Sequence, residues 1–89
     1  MAAYSLSIRQ SAVKELEQVG LKRDRVRLVA RLRNLAMEPR PYGCEKLAGA
    51  ARLYRVRQGN YRIVYAIDDH EKSVDIVKIG HRREVYRDA

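Results

Sequence analysis

Two clusters of side chains in the second half of this sequence have the types and spacing to grip an anion. The first lies in YRVRQGNYRIVY, residues 54–65, where Arg55, Arg57 and Arg62 recur so that they can share one surface. The second is GHRREVY, residues 80–86, which offers the His81 imidazole, the Arg82 and Arg83 guanidiniums and the Tyr86 phenol. A guanidinium binds phosphate through two parallel N–H donors and stays charged at any pH a protein meets. A phenol or guanidinium plane also stacks on an exposed base, and histidine adds a group that titrates near neutrality. Those are the parts that RNA handling needs. Each also has a plainer use when taken singly: Tyr86 as a packing residue, Arg83 and Arg87 as solvated charges, His81 as an exposed polar side chain.

The elements that must position them follow from alternation. With Gly59-Asn60 as a two-residue hairpin turn, antiparallel pairing sets Gln58 opposite Tyr61, Arg57 opposite Arg62, Val56 opposite Ile63 and Arg55 opposite Val64. Tyr54, Val56, Tyr61, Ile63 and Tyr65 then share the face that meets the core, and Arg55, Arg57 and Arg62 share the outward face. Like charges directly across a strand pair cost stability, so Arg57 facing Arg62 makes sense where an anion sits between them. The competing reading is that the long side chains splay apart and salt screens them. A register change of one residue would send the tyrosines outward instead.

Upstream, YSLSIR (4–9) alternates as a half-buried strand. Ser11 is placed to cap a short helix carrying Ala12, Leu16 and Val19 along one side, with Gly20 to end it. A second helix spans Lys22 to Met37; Leu28, Val29, Leu32, Leu35 and Ala36 form its apolar stripe, and Lys22, Arg23, Arg27 and Arg31 lie mostly away from it. Pro39 disfavours helical geometry at Glu38 and stops the run. Residues 39–51, with two Pro and two Gly, read as an ordered loop anchored by Leu47. Strands are expected at 52–58, 61–68 and 73–79, followed by a short polar tail. The expected fold is α+β: an N-terminal strand, a helical hairpin packed on one face of an antiparallel sheet, then a three-strand meander with a short C-terminal tail.

The 89 residues suit a single domain, residues 1–89, with one modest core. The chain has no Phe or Trp, so Leu, Val, Ile and six Tyr must fill that core. Nineteen Lys+Arg against eleven Asp+Glu give a formal net charge of +8, which attracts polyanions such as nucleic acid or an acidic protein. No apolar run approaches the roughly 20 residues that a membrane helix requires, and no signal-peptide layout opens the chain. No membrane partner is expected, and the economical location is the cytoplasm. Cys44 is the single cysteine, a loop or core thiol by this reading, which leaves no internal disulfide and no cysteine-based metal cluster.

Taken together, KLAG (46–49), YRVRQGNYRIVY (54–65) and GHRREVY (80–86), in this order and spacing, resemble the RelE toxins of bacterial and archaeal toxin–antitoxin pairs. The resemblance covers essentially the whole chain. It implies a compact α+β protein that enters the ribosomal A site, cuts messenger RNA there without a metal or other cofactor, and is held inactive by a cognate RelB-like antitoxin. The reaction it implies is attack by the ribose 2′-hydroxyl on its own phosphate, giving a cyclic phosphate and a free 5′-hydroxyl. Carried over position by position, the family's active residues fall on Arg55 and Arg57 in the first hairpin strand, Arg62 opening the next, Arg82 after Gly-x, and Tyr86 in the tail. The best-known members have lysines where this chain has Arg55 and Arg57. Lysine can lose its proton and serve as a base, whereas guanidinium effectively cannot. His81, where lysine is common in the family, is then one possible base. A substrate or ribosomal group, or geometry and charge alone, are the others.

Two further readings stand beside this one. The related ParE class shares the fold but poisons DNA gyrase and is no nuclease; Arg62, Arg82 and Tyr86 have a chemical use only in the nuclease. A catalytically inert basic module that binds RNA or an acidic partner is the third.

Overall fold

Alternation does make residues 5–8 a strand, β1 (Ser5–Ile8), and the chain turns directly from it into helix α1 (Gln10–Glu17). The computed structural model describes residues 4–49 and 52–81. Arg9 still belongs to the sheet, its N–H donating to the Ile76 carbonyl at 3.0 Å in extended geometry (φ −65°, ψ 148°), and it occupies the N-cap position. Ser11 therefore falls inside the helix rather than capping it as expected. The far end also departs from expectation: the helix closes at Gln18, in right-handed geometry, and not on a left-handed Gly20.

Helix α2 (Lys22–Met37) has the expected bounds. It buries Leu28, Leu32, Leu35 and Ala36, while Val29 is half-buried. Pro39 ends it in the expected way, with Glu38 thrown out of helical geometry at φ −139°. The following segment is not all loop. Glu45–Lys46 form a two-residue strand, β2, that pairs antiparallel with β3 (Leu53–Gln58). Strands β4 (Tyr61–Asp68) and β5 (Ser73–His81) complete the meander, and β5 runs two residues beyond the expected end to include His81.

The sheet order is β1-β5-β4-β3-β2. The meander is antiparallel as expected, but β1 joins it parallel to β5, with Leu6 beside Val74 and Ile8 beside Ile76. Parallel neighbours need a long connection between them, and everything from α1 to β4 supplies it.

One face of the sheet carries Val56, Ile63, Tyr65, Ile67, Val74, Ile76 and Ile79 against Ala12, Val19, Leu28, Leu32 and Leu35 from the helices. Tyr65 is the largest of the fully buried side chains, the place a Phe would otherwise hold. Its hydroxyl cannot be buried alone, and it donates to the Pro39 carbonyl at 2.7 Å. Burial pushes this phenol's pKa above the ordinary tyrosine range. Cys44 packs half-buried against the same core, as the sequence implies.

The loop beyond α2 is fastened from the other side too. Arg40 binds Asp69 through two hydrogen bonds, 3.1 and 2.8 Å, and lies over the Tyr54 ring at 5.1 Å. The Tyr4 hydroxyl donates to the same carboxylate at 2.7 Å. No helix among the described residues is long and apolar enough to cross a membrane.

Candidate functional site

The β3–β4 hairpin has the register that alternation predicts: Gln58 faces Tyr61, Arg57 faces Arg62, Val56 faces Ile63 and Arg55 faces Val64. Gly59 takes φ +61° at the first turn position, while Asn60 does not adopt a positive φ. That is the pattern of a turn with glycine at its first central residue, so the turn uses positive φ once rather than twice. Ile63 is 0% and Val56 1% exposed on the helix-covered face, which leaves the three arginines on the opposite one.

Those arginines are not equally available. Arg57 is exposed. Arg62 is 6% exposed, a buried arginine whose Nη1 donates to the Tyr61 carbonyl at 3.4 Å, so the face that alternation assigns to it is not open to solvent at this position. Arg55 is held by Glu45, Nη2 to Oε1 at 3.2 Å, with its side chain 15% exposed. Glu45 stands directly across from Arg55 in the β2–β3 pairing. An opposite charge at that position stabilises the strand pair, where the Arg57–Arg62 pair does the reverse.

The structure also adds a residue to this face. A cleft of about 390 Å³ is lined by Arg57 and Arg62 together with Arg31 from α2, Tyr42 and Gly43 from the loop beyond it, and Glu45. Arg31 lies mostly off the apolar stripe in the sequence, with nothing there to mark it as part of a site. No local signal could have tied it to the hairpin, since the two come to line one cleft only in the tertiary fold.

His81 is not brought to the arginines. It pairs across from Tyr61, and its ring meets the Tyr61 ring edge-on with centroids 5.8 Å apart. The residue opposite Arg62 is Gly80. The cause is a bulge in β5: Ile76 faces Tyr65, Lys78 faces Val64, and Val77 is the extra residue between them. Strict alternation from Val74 would put His81 on the arginine face; the bulge shifts the phase and puts Ile79 in the core and His81 beside Tyr61. His81 instead lines a separate cleft of about 230 Å³ with Glu15, Gln18, Val19 and Tyr61. There Glu15 accepts the Ile79 N–H at 2.9 Å and the Lys78 ammonium at 3.0 Å. Arg82 and Tyr86 lie outside the described residues.

The basic cleft can hold an oxyanion and absorb negative charge that develops on it, because the fold gathers three guanidiniums around one space before any ligand arrives. None of its arginines can take up a proton.

Comparison with known proteins converges on one group. The sequence model of the family described as "ParE toxin of type II toxin-antitoxin system, parDE" matches residues 6–86. Toxin RelG of Mycobacterium tuberculosis (strain ATCC 25618 / H37Rv) is 35% identical over 54 residues, covering 61% of this chain and 62% of that protein. Toxin RelE of the same organism is 49% identical over 35 residues, 39% of this chain and 36% of that protein. The chain thus spans less than two thirds of the length of these curated relatives. Among solved structures, the archaeal RelE–RelB complex from Pyrococcus horikoshii OT3 aligns with a TM-score of 0.79 and 30% identity over 90% of this chain and 96% of that one. The intact E. coli RelBE toxin–antitoxin complex aligns with a TM-score of 0.76 and 28% identity over 89% of this chain and 96% of that one.

Proposed function

This chain belongs to the family of ParE toxins of type II toxin–antitoxin systems, and on that premise we propose that it is a RelE-type endoribonuclease that cuts messenger RNA in the ribosomal A site. The observation that carries the reading is Arg57 set directly opposite a buried Arg62 in a cleft that Arg31 also lines. A fold with no anion to bind gains nothing from that juxtaposition.

In the reaction the ribose 2′-oxygen forms a bond to the adjacent phosphorus and the bond from phosphorus to the 5′-oxygen breaks. The 2′-hydroxyl gives up a proton, and the departing 5′-oxygen gains one. Arg57 and Arg62 hold the phosphate in line for the attack and stabilise the added charge, with Arg55, steadied by Glu45, flanking them. The resemblance assigns Arg82 to the phosphate and Tyr86 to stacking on a base or assisting a proton. His81 faces away from this cleft in the described strand, so the proton from the 2′-hydroxyl passes to a group of the substrate or ribosome. Arginine positioning is the protein's main contribution.

The partner in this proposal is a RelB-like antitoxin. Support comes from solved neighbours that are toxin–antitoxin complexes and from the +8 formal charge, which suits an acidic, partly apolar segment. Steering by charge makes the association rate fall as salt is added.

The family description, which names ParE, favours a second reading, the gyrase poison that the ParE resemblance implies. Primer extension on a translated message after induction separates the two. Breaks at fixed codon positions are expected; intact messages with broken DNA would overturn the nuclease in favour of the gyrase poison.

A further inference from the structure

The arginine cleft contains two residues that the catalytic reading above does not use, Arg31 and Tyr42. Arg31 reaches it from α2, and its Nε is buried with no hydrogen-bond partner among the described residues. A buried N–H donor without an acceptor is costly, and it is the kind of group that a ligand oxygen satisfies. The lining carries three guanidiniums against one carboxylate, and that carboxylate, Glu45, already binds Arg55. At about 390 Å³ the cleft falls within the roughly 300–1,000 Å³ of small-ligand sites, enough for more than a lone ion.

Tyr42 stands at the rim, fully exposed, whereas Tyr54, Tyr61 and Tyr65 all pack on the core. Its neighbour Gly43 takes φ +90°, a left-handed turn that an L side chain would resist. An aromatic ring held in water beside a cluster of guanidiniums is the arrangement that binds single-stranded nucleic acid, ring to base and arginine to backbone.

Resting on the nuclease reading, we propose that this cleft is a substrate-positioning subsite: Arg31 binds a backbone phosphate next to the one being cut, and Tyr42 stacks on the adjoining base. Neither residue takes part in bond making. Together they fix the register of the RNA strand over Arg57 and Arg62.

The test uses the intact chain and a labelled single-stranded 2′-O-methyl RNA dodecamer, which cannot be cleaved, with binding read by fluorescence anisotropy over a range of salt. One phosphate contact in single-stranded nucleic acid contributes about 0.7 to the slope of log K against log salt. Arg31→Ala is expected to make the slope shallower by about that amount, Arg31→Lys to keep it, and Arg23→Ala, an exposed arginine on the same helix, to leave it unchanged. Tyr42→Ala is expected to weaken binding about ten-fold at every salt concentration with the slope unaltered, as loss of a stacked base requires. Should Arg31→Ala melt early, Arg31→Gln, which keeps part of the stem, gives the same reading.

A slope unmoved by Arg31→Ala, or no binding of the dodecamer by the unaltered chain, overturns the subsite. Cleavage on programmed ribosomes is scored separately. There Arg31→Ala is expected to raise KM and spare kcat. Cleavage with KM unmoved overturns the subsite and leaves the nuclease standing. Arg31-dependent binding without any cleavage supports the cleft and overturns the nuclease.

Discussion

Arg57 and Arg62 stand directly opposite each other on the β3–β4 ladder, and yet Arg57 is exposed while Arg62 is 6% exposed. The buried member cannot swing away, so the repulsion between them falls on Arg57. Replacing Arg57 with Ser is expected to leave the melting temperature unchanged or to raise it. Ile63→Asp, on the other face and 0% exposed, is expected to unfold the domain. Thermal denaturation followed by circular dichroism checks both, and the opposite pair of results would mean that the faces are reversed.

Arg62 is expected to behave differently from Arg57 in both stability and rate. Its stem is buried, so Arg62→Ala loses packing as well as charge and should melt earlier than the unaltered chain. Cleavage in a ribosome assay should fall on the order of 100-fold or more, the usual scale for one positioned donor. Arg62→Lys should recover most of the stability but little of the rate, because an ammonium lacks the two-pronged grip on phosphate. A lysine variant with full activity would show that charge alone suffices.

The buried hydrogen bond from Tyr65 to the Pro39 carbonyl holds the end of α2 to the centre of the sheet. Tyr65→Phe keeps the ring and strands that carbonyl in the interior. The expected loss is about 1–3 kcal/mol in urea denaturation at neutral pH. A change near zero would mean that water reaches the carbonyl and replaces the phenol.

Asp69 supplies a pH dependence. The Arg40 guanidinium and then the Tyr4 hydroxyl hold its carboxyl down at about 2, below the ordinary 3.8. A carboxyl depressed in the fold contributes stability above its unfolded value and loses that contribution as pH falls through about 2. Carboxyl-carbon NMR should therefore show Asp69 titrating near the bottom of the acid range. In Arg40→Ala it should return towards 3.8. An Asp69 that titrates normally in the unaltered chain would mean that this exposed network does not persist in solution.

The hairpin was legible because two independent signals agree there: Gly59-Asn60 allows a tight turn, and the tyrosines and aliphatics alternate on both sides of it. The bounds of α2 were legible for a similar reason, a clear apolar stripe closed by Pro39. What the sequence hid was non-local. Two residues, Glu45 and Lys46, are too few to show any periodicity, so β2 exists only because β3 offers an edge to it. The parallel pairing of β1 with β5 joins segments from opposite ends of the chain. Arg31 gave no sign of its place because helical periodicity ranks a residue against its own helix, whereas the other residues lining the cleft belong to the sheet and its loops.

The extra residue at Val77 makes β5 a strand with two phases, and the second phase decides which chemistry each face can offer. Before it, even-numbered residues face the helices; after it, odd-numbered ones do. Losing that one residue would restore regular pairing and leave both faces as they are, whereas drawing Val77 into the ladder would exchange the roles of the whole stretch that follows, carrying the imidazole of position 81 round to the guanidiniums and turning the Ile79 side chain out to water. Burial of the Ile79 side chain, 2% exposed, thus opposes a register slip that would bring a titrating group to the arginine face.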